Sequence, residues 1–294
     1  MDFDKIIDGK LISSKIKDEV REETKKLLSV HNIIPGLAFI IVGENPASKV
    51  YVKSKGKACE ETGFHSVTKT LPESSTEKEL LSIIEDFNSD KNIHGILVQL
   101  PLPKHINEQK IIESIDYKKD VDGFHPQNVG RLSIGQKCFI PCTPYGIIEM
   151  IKRSNVETNG KNVVIIGRSN IVGKPMASLF LKKDINSTVT ICHSSTKDIK
   201  SFTMNADILI AAIGKPDFVT GDMVKEGAVI IDVGINRVDD KNSPKGYRLT
   251  GDVDFNSCIE KVSRITPVPG GVGPMTIAML MRNTLDSASQ NIYK

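Results

Sequence analysis

Ser48, Tyr51 and Lys55 stand at i, i+3 and i+7, so a helix here would carry a hydroxyl, a phenol and an ammonium on one face. These are groups that bind polar ligands and carry protons. Lys53 and Lys57 fall about 200° away from Lys55 around such a helix and should meet solvent. The plainer alternative is a Tyr and a Lys that only line a domain surface. Gln99 ends the apolar run Gly95-Ile96-Leu97-Val98, where ligands bind in open α/β sheets, though a solvated strand end would read the same way. Lys119-Asp120-Val121-Asp122-Gly123 holds two carboxylates, at least one of which could simply cap a turn. His125 and His193 are read as making local hydrogen bonds rather than chemistry. No metal set is expected: no His pair has ligand spacing, and Cys138 and Cys142 flank Phe139-Ile140-Pro141 rather than a zinc-knuckle turn.

The elements that must position these groups alternate along the chain. Short runs rich in Val and Ile at 37–42, 94–100, 162–166, 187–192, 207–213 and 228–233 read as strands covered on both faces. Segments 10–31, 48–62, 76–88, 144–153 and 172–182 are long and periodic enough for helices, and 275–289 reads as a last helix. Strand-helix alternation implies right-handed βαβ units and an α/β fold. The stretch 120–144, rich in Gly, Pro and Asn, places a domain junction near its end. Residues 239–246 read as a polar excursion between strands.

One strand runs directly into a glycine-rich turn. After 162–166 come Gly167-Arg168-Ser169-Asn170-Ile171-Val172-Gly173 and then a helix, the context expected of a dinucleotide site. The exposed N–H groups and the positive helix end would suit a pyrophosphate. The middle glycine of the usual pattern is missing, so a sharp turn without ligand fits equally well. The next strand ends in His193-Ser194-Ser195-Thr196, with no carboxylate before Asp198. Hydroxyls there, with Arg168 nearby, would accept a ribose 2′-phosphate and favour NADP over NAD.

Composition limits the alternatives. At 294 residues the chain suits about two domains. With 39 Lys and Arg against 36 Asp and Glu, it is too balanced to coat nucleic acid. No apolar run approaches the ~18 residues that span a bilayer. The opening Met1-Asp2-Phe3-Asp4-Lys5 lacks the pattern of a signal peptide, and five scattered cysteines suit a reducing compartment. A cytoplasmic enzyme is expected.

Six segments in order closely resemble the bifunctional methylenetetrahydrofolate dehydrogenase/methenyltetrahydrofolate cyclohydrolase family. They are Tyr51-Val52-Lys53-Ser54-Lys55, Val98-Gln99-Leu100-Pro101-Leu102-Pro103, Lys119-Asp120-Val121-Asp122-Gly123, Pro141-Cys142-Thr143-Pro144, the loop 167–173 and Pro267-Val268-Pro269-Gly270-Gly271-Val272-Gly273-Pro274-Met275-Thr276. The resemblance implies two α/β lobes around a cleft. Residues 1–143 with 277–294 would form the folate-binding catalytic domain, and 144–276 a Rossmann-type NADP-binding domain. By the same resemblance Lys55 would be the catalytic lysine, Gln99 would tune it, and Tyr51 would pack on the folate. Asp122 would bind the pterin, and Ser48, Gly271, Gly273 and Pro274 would complete the substrate site. Gly167, Arg168, Ser169, Ser194, Ile235 and Thr276 would contact NADP, and the molecule would be a homodimer.

The chemistry is consistent with those roles. A carboxylate can accept both the ring N–H and the amino group of a pterin. Hydride transfer from a folate methylene needs positioning more than a strong base, whereas hydrolysis of the methenyl cation needs an activated water and a proton carrier. The activity implied is NADP-dependent oxidation of methylenetetrahydrofolate, then hydrolysis to 10-formyltetrahydrofolate. A monofunctional dehydrogenase and a non-catalytic NADP sensor are the rivals; the latter would not need Tyr51, Lys55, Gln99 and Asp122.

Overall fold

The computed structural model describes residues 3–241, 243 and 246–294; the side chains of residue 3 and residues 46–50 lie outside the described set. The elements run α1 (Gly9–His31), β1 (Gly36–Val42), α2 (Pro46–Thr62), β2 (His65–Leu71), α3 (Glu77–Ser89), β3 (Gly95–Val98), α4 (Glu108–Ser114) and α5 (Pro126–Ser133). They continue with α6 (Cys142–Arg153), β4 (Asn162–Ile166), α7 (Gly173–Phe180), β5 (Thr188–Cys192), α8 (Ile199–Thr203), β6 (Ile208–Ala211) and β7 (Val229–Asp232). The chain then forms β8 (Asn236–Asp239), β9 (Tyr247–Thr250), α9 (Phe255–Cys258), β10 (Arg264–Ile265) and α10 (Val272–Ala288). Among the described residues, no helix is long and apolar enough to cross a membrane. The fold is α/β, with two parallel sheets in two compact units.

The first unit comprises Ser14–Cys142 and Ile277–Lys294. Its sheet has the order β2-β1-β3, with both neighbours parallel to β1. All seven residues of β1 are buried, as a central strand covered on both faces requires. Helix α3 opens with a capping box in which Thr76 and Glu79 satisfy each other's backbone N–H. It then buries Leu80, Ile84 and Phe87, one helical stripe, against Ile40 and Ile96. Each such side chain contributes about 1.5–3 kcal/mol of burial free energy. Strand β2 is absent from the sequence reading, because this edge strand is mostly exposed and its polar residues carry no apolar run.

The second unit takes Thr143–Thr276 together with the chain up to Ser13. Its sheet runs β10-β7-β6-β4-β5, all parallel. The opening residues pack here, rather than with 14–142 as the sequence reading had it, because they are bonded here. Ile7 N donates to Ile265 O at 2.9 Å and Lys10 N to Gly270 O at 3.1 Å. Strands β8 and β9 pair as an antiparallel hairpin, in which Arg237 stacks 3.9 Å from the centroid of the Tyr247 ring, while residues 242, 244 and 245 of the polar excursion lie outside the described residues.

Candidate active site

Strands β2 and β3 lie on opposite sides of β1, so the connection that leaves β1 for β2 turns away from β3 at their carboxyl ends. Such a switch point is where open α/β sheets bind ligands. Helix α2, following β1, carries Lys55; Gln99 directly follows β3, and its N–H is held by Ile40 O at 2.9 Å. The two side chains meet there. Lys55 is 8% exposed, and its Nζ donates to Gln99 Oε1 at 3.0 Å. Gln99 Nε2 donates to Leu100 O at 2.8 Å, which leaves its oxygen turned to the lysine. Val52, Ala58 and Cys59 are buried on the same helix, while Lys53 and Lys57 are exposed as their spacing predicts. Tyr51, one turn before Lys55, is 44% exposed. The side chain of Ser48 lies outside the described residues.

The two carboxylates separate cleanly. Asp120 is buried and accepts from Phe124 N at 3.2 Å, His125 N at 2.8 Å and Asn128 Nδ2 at 2.8 Å, so it organises the following turn. Burial pushes its pKa up to about 7 against those donors. Asp122 is half-buried; burial raises its pKa, while the Lys55 ammonium and a hydrogen bond from Cys142 oppose the rise. The Cys142 thiol is pushed well above its ordinary range, first by burial and then by Asp122. His125 Nδ1 accepts from Gln127 N at 3.0 Å and caps α5, the local role expected of it.

Asn283 escapes the sequence reading. Buried on α10, its Nδ2 donates to Val121 O at 2.8 Å and Ile140 O at 2.9 Å, tying the backbone beside Asp122 to the chain entering Cys142. The available signal was a lone amide one turn after Met279 and Leu280, on their apolar face.

In the second unit β4 and β6 diverge at an equivalent switch point, β5 lying outside β4. Gly167 (φ +129°) leaves β4 so close to β6 that a Cβ would strike the Ala212 carbonyl; a Cβ on Gly173 would strike the Gly167 carbonyl in turn. Ser169 Oγ accepts from Val172 N at 3.1 Å, which shapes the entry to α7. Arg168 is exposed and makes no ion pair among the described residues. Ser194 and Ser195 are exposed just past β5, whose last residue pairs with Ile166, so they stand beside the loop. Asp198 instead caps α8. His193 Nδ1 accepts from Ser195 N at 3.2 Å. Ile235, 48% exposed, directs its Cδ1 toward Gly273, 3.5 Å from where a Cβ there would lie. Thr276 bonds Thr143 through their hydroxyls at 2.9 Å, and Gly271 is packed under Pro267 O, with Pro274 on the following turn of α10.

A Rossmann-type sheet with a glycine cradle, and a parallel-sheet unit that buries a lysine, define a two-unit enzyme of the dinucleotide-dependent class. The chain belongs to the tetrahydrofolate dehydrogenase/cyclohydrolase family: residues 7–122 match its catalytic domain and 141–292 its NAD(P)-binding domain. The bifunctional protein FolD of Chlorobium chlorochromatii (strain CaD3) is 58% identical over 286 residues, covering 96% of this chain and 97% of that protein. The solved bifunctional FolD enzyme of Campylobacter jejuni is 51% identical with a TM-score of 0.92, over 97% of this chain and 99% of that one. The methylenetetrahydrofolate dehydrogenase-cyclohydrolase of Trypanosoma brucei, complexed with NADP cofactor and inhibitor, is 38% identical with a TM-score of 0.93, over 98% of each chain.

Proposed function

We propose that this protein is a bifunctional folate enzyme. It oxidises 5,10-methylenetetrahydrofolate with NADP and hydrolyses the methenyl product to 10-formyltetrahydrofolate. The observation that carries this reading is the buried Lys55 ammonium held on Gln99 at 3.0 Å, beside a carboxylate that burial leaves short of donors.

Asp122 accepts the pterin ring N–H and amino group, Tyr51 packs on the folate, and Lys55 Nζ moves the proton of the attacking water. Gln99 sets the direction of that ammonium. Ser48, Gly271, Gly273 and Pro274 complete the folate site. The glycine cradle fits NADP: Gly167, Gly173 and the N–H groups after them leave room for a pyrophosphate. Arg168 and Ser194 take the 2′-phosphate, with Ser169, Ile235 and Thr276 along the remainder of the cofactor. When bound, NADP supplies the hydride acceptor. The monofunctional alternative is disfavoured by the full-length likeness to bifunctional relatives.

The family likeness also supports a homodimer that serves purine biosynthesis. A cytoplasmic site agrees with five free, buried cysteines. The test is to incubate protein, methylenetetrahydrofolate and NADP, and to identify both products. NADPH with 10-formyltetrahydrofolate is expected; NADPH alone would leave a monofunctional dehydrogenase, and neither product would overturn the proposal.

A further inference from the structure

Two carboxylates in the second unit are buried outside every role given above. Asp232, the last residue of β7, accepts from Gly234 N at 2.9 Å, Asp252 N at 2.9 Å and Val253 N at 3.0 Å. Asp252, fully buried, accepts from Ile213 N at 2.7 Å, Gly214 N at 2.9 Å and Asn236 Nδ2 at 2.9 Å. Five of these six donors are backbone N–H groups of segments that follow β6, β7 and β9. The packing admits little slack, since a Cβ on Gly251 would collide with the Asp232 carboxylate.

The donors have a common location. Ile213 and Gly214 follow β6 at the switch point, beside the Ala212 carbonyl that Gly167 approaches. Gly234 and Asn236 flank Ile235, an exposed apolar side chain with a bonded residue on either side. A loop of this kind would ordinarily be mobile, and an exposed isoleucine would sample several positions. Here two buried acids clamp it from below.

We infer that Asp232 and Asp252 are positioning residues for the dehydrogenase reaction: together they hold the 213–214 and 234–236 segments so that Ile235 forms a fixed apolar ledge for the cofactor beside Gly273. This inference rests on the NADP-dependent reading of the second unit. Hydride transfer demands close placement of the cofactor ring, and a loosened ledge forfeits that placement. Hydrolysis of the methenyl folate transfers no hydride and relies on Lys55, so it should not need the ledge.

The experiment compares both activities in the full-length wild type, Asp252→Ala, Asp252→Asn and Asn236→Ala. Dehydrogenase is followed as NADPH formation, and cyclohydrolase as loss of added methenyltetrahydrofolate without NADP. Asp252→Ala should raise the KM for NADP, or lower kcat, by about tenfold or more, one buried hydrogen-bond system being worth at least that. Its cyclohydrolase should stay within about twofold of wild type. Asp252→Asn keeps an acceptor for Ile213 and Gly214 and should recover most of the loss. Should Asp252→Ala fail to fold, Asn236→Ala removes only one clamp and should still show the split, at about threefold. A parallel fall of both activities, or an unchanged NADP dependence in Asn236→Ala, would overturn the inference. A wild type that forms no NADPH would instead sink the functional reading beneath it.

Discussion

The Nζ of Lys55 lies 3.0 Å from Oε1 of Gln99, although the residues are 44 positions apart in the chain. The bond exists because β1 and β3 are neighbours, which brings the helix after one strand over the end of the other. With the Gln99 amide spent on Leu100, the lysine meets an oxygen and its own direction is set. Replacing Lys55 with Met keeps the length and removes the nitrogen. Cyclohydrolase activity should disappear in Lys55→Met while NADP affinity stays near wild type; a variant that still hydrolyses methenyltetrahydrofolate would take Lys55 out of the mechanism.

The same lysine opposes the rise that burial imposes on Asp122. If the pterin is bound by the carboxylate as proposed, affinity should be complete above the Asp122 pKa and lost as pH falls through it. That pKa lies above the ordinary 3.8. Lys55→Met removes the opposing charge, so folate affinity measured against pH should begin to fall at a higher pH than in wild type. An acid limb that stays in place would show that the two groups are not coupled.

Asp122 and Asp120 should fail differently. On the proposed role of Asp122, Asp122→Ala should leave the pterin donors unpaired and weaken folate binding by about 1.5–3 kcal/mol, the range for charged hydrogen bonds. Asp120→Ala strands three internal donors and should cost about 1–3 kcal/mol of stability, read from the urea midpoint. Equal losses of folate affinity in both would show that the pterin acceptor has been misplaced.

Asn283→Ala deprives the Val121 and Ile140 carbonyls of their donor in a buried place. We expect about 1–3 kcal/mol of lost stability, and a higher KM for folate as the Asp122 segment loosens, with the KM for NADP unchanged. Steady-state kinetics with each substrate varied in turn distinguishes this from general damage.

On the proposed placement of the 2′-phosphate, Arg168 and Ser194 set cofactor choice. Wild type should prefer NADP, and the preference should shrink with added salt because Arg168 is exposed. Arg168→Ala should weaken NADP by about 1.5 kcal/mol, the low end for a charged hydrogen bond, and leave NAD nearly unaffected. Ser194→Asp should move the preference toward NAD, since a carboxylate repels the phosphate and accepts from the ribose diol. The ratio of kcat/KM for the two cofactors decides the matter; a wild type that favours NAD would end this reading.

Local chemistry alone determined much about this protein. Runs of Val and Ile named the buried strands β1, β3, β4, β6 and β7, because a strand covered on both faces has no polar side to show. The glycines around Arg168 and the i, i+4 spacing of Tyr51 and Lys55 marked the turn after β4 and one face of α2, since turn geometry and helix periodicity are properties of short segments. The edge strand β2 and the hairpin β8–β9 carry no such pattern, being mostly exposed or half-buried and polar. Tertiary structure decided which carboxylate is closed in: Asp120 and Asp122 are two residues apart, and only Asp120 is buried while the following turn folds back to give it the donors of Phe124, His125 and Asn128. It decided likewise what Asn283, Asp232 and Asp252 bond, because these buried groups take partners from distant parts of the chain, Val121 and Ile140 for Asn283 and Ile213 and Gly214 for Asp252.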